Sequence, residues 1–414
     1  LDVSFEPGKT PVPPSGRIFD YEEVDAACEV IKSGWWTTDK VTKRFEQALS
    51  DRFGAKQHVI FCNSGSSANL LAMQALHELV PPKTLVITPA LTFPTTVSAI
   101  LHAGFQPVFV DVNLQDYNAQ TENLQEAVQT VLKAHARCVV FLPHTLGHPW
   151  DLDLLKTWDE ERVIVVEDNC DALDSTWHSQ RTGTFGLIST LSFFPAHHIT
   201  TGEGGAVVTR DAALARAITS YRDWGRDCWC LPGYDNSCSK RWDGQYGGLP
   251  PGYDHKYVFR HVGYNLKATD IQAALGCAQL KKLTGFTAAR RANWNQLRTS
   301  LSDLDDVFWL PNTCAQANPS WFGFALGLRE RSPWNRLSLV QYLESRHIGT
   351  RMLFAGNILQ QPGYQNIPHT VIGNLNNTNW ATERAFWIGV WPGLTPIMLD
   401  YVSESLHAFF GRKP

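Results

Sequence analysis

The sequence predicts an α/β protein with two domains, and three observations carry that reading. From Ala55 onward, short β-branched runs alternate with longer helical patterns, which is the signature of βαβ units and a mostly parallel sheet covered by helices on both faces. The chain has 414 residues, more than one hydrophobic core usually organises. Hydrophobic residues make up 43% and charged residues 18%, with 15 Trp and 21 Phe, a mixture too apolar and aromatic to stay unfolded.

Taken in order, residues 1–20 read as an N-terminal arm: Leu1 to Pro14 is Pro-rich and lacks the basic-then-apolar layout of a signal peptide. Opening on Leu rather than Met is consistent with the loss of an earlier segment. Residues 21–285 then form a large domain. Its strands are expected at His58 to Phe61, Thr84 to Thr88, Pro107 to Val110, Arg137 to Leu142 and Arg162 to Val166. Ile188 to Phe193 and Gly205 to Thr209 follow closely enough to form a hairpin, and the polar, Gly-rich link between them is a site candidate. Between Trp224 and Leu266 periodicity disappears into Trp, Gly, Pro, Tyr and Cys, a length of loop that usually serves function. Helical spacing resumes at Ile271, Ala274, Leu275 and Ala278, with a second helix running to about Leu301. Residues 286–414 are expected as a smaller α+β domain. It would contain the Trp321 to Leu328 run and helices near Asn335 to Ser345 and Leu399 to Phe410.

Composition excludes several roles. Lys plus Arg is 36 against 40 for Asp plus Glu, a net charge of -4, which offers no field for nucleic acid. The longest apolar runs are far shorter than the roughly 18 to 20 residues of a membrane-spanning helix. Nine Cys without a disulfide rhythm fit a reducing, cytoplasmic compartment, where clustered Cys mean metal or chemistry.

Two segments point to a cofactor. Asn63 to Asn69 lies between a strand and a helix, so its N–H groups and hydroxyls meet at a helix N-terminus suited to phosphate, although ordinary capping reads equally well. The strand ending in Glu167 and Asp168 delivers carboxylates where open α/β sheets place ligands, and Asp168 there could keep a pyridine nitrogen protonated. Cys228, Cys230 and Cys238 form C-x-C-x7-C in the long loop, with Cys170 57 intervening residues upstream. Four thiolates could hold zinc or an iron–sulfur cluster; buried packing cysteines are the alternative.

Together these features resemble the DegT/DnrJ/EryC1/StrS sugar aminotransferase family on the pyridoxal-phosphate type I fold. The resemblance makes Gly65 and Ser66 the phosphate turn, Phe93 the aromatic stacked on the ring, Asp168 the partner of the ring nitrogen and Ser192 a phosphate ligand. It also makes Asn265 a residue that reaches the cofactor of a neighbouring subunit, implying a homodimer. His197 stands where aminotransferases carry the Schiff-base Lys, and no Lys occurs between Lys156 and Lys240. Without an ε-amine the cofactor would be held non-covalently as pyridoxamine phosphate (PMP) rather than pyridoxal phosphate (PLP), with His197 as the base at C4′. His198 would stand behind it. Asp171 replaces the usual Gln or His beside the cofactor and would orient His197 or the cofactor.

The cysteine spacing and the His-for-Lys change also resemble the sugar 3-dehydrases of the CDP-6-deoxy-L-threo-D-glycero-4-hexulose 3-dehydrase type and their dTDP-sugar relatives. The words Tyr221 to Cys228, Gly252 to Tyr257, Ser320 to Gly323 and Phe354 to Asn357 agree with that group. The resemblance implies a [2Fe-2S] cluster on Cys170, Cys228, Cys230 and Cys238. It further implies a nucleotide-linked 4-keto-6-deoxysugar substrate and an NAD(P)H-dependent reductase partner, giving C3 deoxygenation. Two alternatives stand beside it: a cluster-free PMP-dependent 3-dehydratase regenerated by glutamate, and a catalytically dead zinc-binding homologue.

Overall fold

The computed structural model describes residues 5–54, 56–230 and 233–413; the ends of the expected arm and C-terminal domain, and two positions of the Cys-bearing loop, lie outside the described residues. The chain begins with helices α1 (Tyr21–Ser33) and α2 (Lys40–Phe53). Asp20 starts α1 through a capping box with Glu23, and Gly34 ends it in the left-handed conformation that glycine adopts without strain. Strands and helices then alternate: β1 (His58–Cys62), α3 (Gly65–Ala75), β2 (Leu85–Pro89), α4 (Pro94–His102), β3 (Gln106–Val110), α5 (Thr121–Ala134), β4 (Cys138–Pro143) and β5 (Val163–Asp168). Short strands β6 (Thr176–Trp177) and β7 (Gln180–Arg181) precede β8 (Ile188–Ser192), β9 (Gly205–Thr209) and α6 (Ala212–Arg222).

The expected strands are all present, shifted by a residue or so at their ends, because each is a short apolar run bounded by polar or turn residues. They form an eight-stranded sheet in the order β1-β9-β8-β5-β4-β2-β3-β14, where β14 is Thr370–Val371. From β8 through β14 neighbours run parallel, while β8–β9 and β1–β9 are antiparallel, so the expected hairpin is found. All six residues of β5 are buried, as a parallel strand covered on both faces requires. One face packs on α3, α4 and α6 through Leu71, Ile100, Val166 and Ile218; the other buries Val140, Val165 and Trp150 against α5.

The expected pair of helices after Leu266 is a single helix, α7 (Asp270–Ser300), 31 residues long and opened by a Thr269–Gln272 capping box. Gly285 lowers helix propensity locally but is not enough to break a helix anchored in cores at both ends. Ala273 and Leu283 belong to one core with Phe45 and Phe193, whereas Trp294 and Leu297 belong to the C-terminal core. The boundary expected at 285 therefore falls inside a continuous helix. The C-terminal sheet has the order β10-β12-β15-β13, built from Phe308–Trp309, Gly323–Leu328, Ala385–Gly389 and Thr350–Met352, with α8 (Arg336–Ser345), α9 (Asn376–Arg384) and α10 (Pro396–Phe409) around it. A three-stranded sheet, with β11 (Ala317–Asn318) beside β6 and β7, was not expected; two-residue strands carry no periodic signal. The arm is not loose: Val12 is buried in the C-terminal core and its N–H donates to His347 O at 2.8 Å. No helix among the described residues is long and apolar enough to cross a membrane.

Candidate active site

The carboxyl ends of the parallel strands put Asp168 and Ser192 on one edge of the sheet, with Gly65 against Ser192. Asp168, the last residue of β5, is only 7% exposed. Its Oδ2 accepts from Asn69 Nδ2 at 3.0 Å and Thr96 Oγ1 at 2.9 Å, and its Oδ1 accepts from the Cys170 N–H at 3.3 Å. Asn69 and Thr96 were missed in the sequence; the one signal was an Asn on the buried face of an otherwise apolar helix, where Asn is a poor former. Glu167 points the opposite way, as alternation along a strand requires. It accepts from Gly183, Phe185 and Gly186 N–H groups and pairs with His144 Nε2 at 2.9 Å, so it serves the fold.

Ser64 caps α3 by accepting from the Ser67 N–H at 3.1 Å, leaving Gly65 and Ser66 at the helix N-terminus. A Cβ on Gly65 would lie 2.6 Å from Ser192 Cβ and 2.8 Å from its hydroxyl, so the absence of a side chain is what lets the end of β8 approach this turn. Gly205 serves the same purpose, since a Cβ there would lie 2.2 Å from the Ser64 carbonyl oxygen. The result is a cradle of backbone N–H groups and a hydroxyl at a positive helix end, suited to a phosphate. Phe93 sits at the N-cap of α4 and is 55% exposed, a large apolar ring without a protein partner covering it.

His197 follows β8. Its Nδ1 lies 3.5 Å from Asp171 Oδ1 and otherwise has no hydrogen-bond partner, and its ring lies 5.1 Å from Phe322. Burial, and then the Arg290 guanidinium, push His197 down to about 3, so the ring is neutral at pH 7. Burial, and then the neighbouring Asp168 charge, push Asp171 up to about 8. Arg290, which the sequence did not single out, is fully buried in α7 and donates to the carbonyls of Trp321 and His197, both at 3.1 Å. His198 is 2% exposed and its Nε2 donates to the Ser320 carbonyl at 2.7 Å.

These shifts give opposite pH dependences. The native state binds more protons at Asp171 between about pH 3.9 and 8, so that contribution to stability falls as pH rises through the interval. For His197 the unfolded chain binds more protons below about 6.5, so its contribution is lost as pH falls below that value. The two oppose each other below about pH 6.5, leaving a decline between 6.5 and 8 to Asp171. Asp171→Asn is expected to flatten that decline, measured as the urea midpoint at pH 6.5 and 8.5; an equal loss in both proteins would dismiss the assignment.

In the long loop, bridges Asp223–Asn265 and Arg226–Phe259 and the Arg241–Asp254 ion pair at 3.0 Å replace regular structure. The donor atoms of Cys228, Cys230 and Cys238 all lie within 4.8 Å of one another. Burial works against the Cys230 thiolate, but hydrogen bonds from Ser237, the Cys238 N–H and the flanking thiols outweigh it and hold Cys230 at about 7. Cys170 stands outside this group. It lies two residues past Asp168, and burial pushes its thiol well above the ordinary value. The structure thus gathers three of the four cysteines expected as ligands. His255, which the sequence did not flag, places Nδ1 3.8 Å from Cys238 Sγ and Nε2 3.4 Å from Asp227. Asn265 is exposed, its amide oxygen accepting from Lys267 Nζ at 2.7 Å.

A buried aspartate at a strand end, a helix-opening turn in which Gly65 leaves room for Ser192, and an exposed aromatic ring, on a mixed sheet covered by helices, match the PLP-dependent, aminotransferase-like type I fold. The chain belongs to the DegT/DnrJ/EryC1/StrS aminotransferase family, whose pattern matches residues 18–407. It is 46% identical to the dTDP-4-dehydro-2,6-dideoxy-D-glucose 3-dehydratase of Saccharopolyspora spinosa over 99% of this chain and 88% of that protein. It is 45% identical to the lipopolysaccharide biosynthesis protein RfbH of Salmonella typhimurium, over 98% and 93% of the two chains. Among solved structures, GDP-4-keto-6-deoxymannose-3-dehydratase with a trapped PLP-glutamate geminal diamine superposes with a TM-score of 0.85 at 26% identity, covering 95% of this chain and 99% of that one.

Proposed function

We propose that this protein is a vitamin B6-dependent 3-dehydratase of a nucleotide-linked 4-keto-6-deoxyhexose, with the cofactor held non-covalently as PMP. The observation that carries the reading is His197, a buried neutral imidazole 3.5 Å from Asp171, in a stretch with no lysine between Lys156 and Lys240. The cradle fits the cofactor: Asp168 is pre-oriented by two donors, Gly65 leaves room at the phosphate turn, and Phe93 presents an open face. The 3-dehydratase names of the relatives support the substrate class.

When bound, PMP supplies an amine for the sugar ketone and a pyridine ring that accepts electrons. Gly65, Ser66 and Ser192 would hold the phosphate, Asp168 would keep a proton on the ring nitrogen, and Phe93 would cover the ring. His197 would serve as the base for the proton at C4′, and Arg290 fixes the backbone from which His197 projects. The exposed Asn265 would act toward a second copy of the chain, which makes a homodimer part of the proposal.

Two routes can complete the cycle. The comparisons favour the glutamate route, because the superposed dehydratase was trapped with a PLP-glutamate adduct; in that case the four cysteines serve structure. Convergence of Cys228, Cys230 and Cys238 favours the second route, a [2Fe-2S] centre fed by an NAD(P)H-dependent reductase. Three thiols are short of the four ligands such a cluster takes. Anaerobically purified protein, loaded with PMP and given a 4-keto-6-deoxy nucleotide sugar, tests both. Glutamate-dependent turnover yielding 2-oxoglutarate without protein-bound iron or sulfide supports the first route. Iron and acid-labile sulfide, with turnover only when a reductase is added, support the second. Absence of C3 dehydration in every arm overturns the dehydratase reading itself.

A further inference from the structure

Helix α4 carries Phe93 at its N-cap and Thr96 in its first turn, and the Thr96 hydroxyl donates to Asp168 Oδ2 at 2.9 Å. The helix opens without a side-chain cap, because an aromatic residue at the N-cap accepts no hydrogen bond. A start of that kind frays unless something else holds it. What holds it comes from the C-terminal third of the chain. The Ala355 N–H donates to the Thr92 carbonyl at 3.3 Å, Leu91 and Asn357 form an antiparallel bridge, and the Ile358 N–H donates to the Ala90 carbonyl at 3.0 Å. Ile358 is buried with Ala90, Val97 and Phe109, and Tyr364 packs against that cluster. Tyr364 also reaches α4 itself. Its Oη lies 2.6 Å from Ser98 Oγ and 3.3 Å from the Pro94 carbonyl oxygen, to which Ser98 Oγ lies at 3.0 Å. A hydroxyl both donates and accepts, so the three oxygens stay linked whichever hydroxyl gives its proton to the other.

Pro94 and Ser98 are one helical step of i to i+4 and share a face, whereas Thr96, about 200° round from Pro94, lies on the other. The first turn of α4 is therefore held between two points, the Tyr364 hydroxyl on one face and Asp168 on the opposite one. A hydrogen bond weakens steeply as its angle departs from the line, so the aim of Thr96 at the carboxylate depends on where this turn is seated. We infer that Tyr364 is a positioning residue for the cofactor site: it seats the start of α4 so that Thr96 donates to Asp168 and fixes the carboxylate that would meet the ring nitrogen. Tyr364 acts through α4, by its bonds to Ser98 and Pro94, and not by touching the cofactor. The inference rests on the cofactor role proposed above and adds to it a residue of the C-terminal domain.

The test is a double-mutant cycle on the full chain, with PMP affinity read by fluorescence titration and stability by the urea midpoint. Tyr364→Phe keeps the ring in its apolar seat and removes the hydroxyl alone. It is expected to raise the PMP dissociation constant about two- to tenfold, the range of one neutral hydrogen bond. In a Thr96→Val background the same change should leave the dissociation constant where Thr96→Val alone puts it, because no hydroxyl is left to aim. A purely structural tyrosine would lower the urea midpoint alike in both backgrounds without that coupling. An equal effect on PMP affinity in the two backgrounds, or none in either, overturns the inference. Ser98→Ala, which cuts the shorter of the two bonds, should show the same dependence on Thr96 and decides the matter should Tyr364→Phe fail to fold. Wild-type protein that binds no PMP overturns the cofactor reading and this inference with it, whereas PMP binding without sugar dehydration overturns the dehydratase reading alone.

Discussion

His197→Asn is expected to lower turnover by about 10² to 10⁴-fold, the span a positioned general base contributes, while leaving PMP bound. The reason lies in how the residue is held. Arg290 anchors its backbone carbonyl at 3.1 Å, and neither the phosphate turn nor Asp168 bonds to its ring, so the substitution removes a proton acceptor without dismantling the cradle. Two readouts separate this from a folding defect. Exchange of the C4′ hydrogen with solvent should be lost, and cofactor absorbance retained after gel filtration should match the wild type. Exchange at the wild-type rate would remove His197 from its role.

The second large effect is expected at Asp168. Asp168→Asn replaces an acceptor of two side-chain donors by a group whose amide nitrogen can oppose Asn69 Nδ2 or Thr96 Oγ1, and it withdraws the charge that, in the proposed function, would keep the ring nitrogen protonated. Removing one partner of a buried, hydrogen-bonded charge costs about 3 to 5 kcal/mol, roughly 150- to 5,000-fold in rate or affinity. Both the dissociation constant for PMP, read by fluorescence titration, and turnover should worsen. A variant that binds PMP and turns over within about tenfold of the wild type would show that another group holds the ring nitrogen.

How much of this was legible follows from what sequence patterns encode. The strands of the large sheet were readable because a strand buried on both faces is a short apolar run with marked ends, as in Val163 to Val166. Asp168 and the Gly65 turn were readable because one ends a strand and the other opens a helix, positions that α/β topology collects on one edge, whereas Ser192 came from the family resemblance alone. Asn69 and Thr96 were not: they meet Asp168 from 99 and 72 positions away, and no local periodicity records that meeting. The same limit hid Arg290, one cation among several on a long helix, and it separated spacing from convergence among the cysteines. Three close together within one loop meet in space, while Cys170 follows the strand that carries Asp168 and stays with it. The continuous α7 was split on paper because the change from one core to the next resembles the end of an element.

The strand Thr370–Val371 pairs with Val108 and Phe109 at the outer margin of the large sheet, although it belongs to the C-terminal third of the chain. There its backbone shields amide groups of β3 that would otherwise be free to recruit a foreign strand. A nascent chain that has emerged only as far as α7 would display that margin bare. The last third of the chain therefore closes a margin of the sheet that the first two thirds build, and the two parts share that sheet.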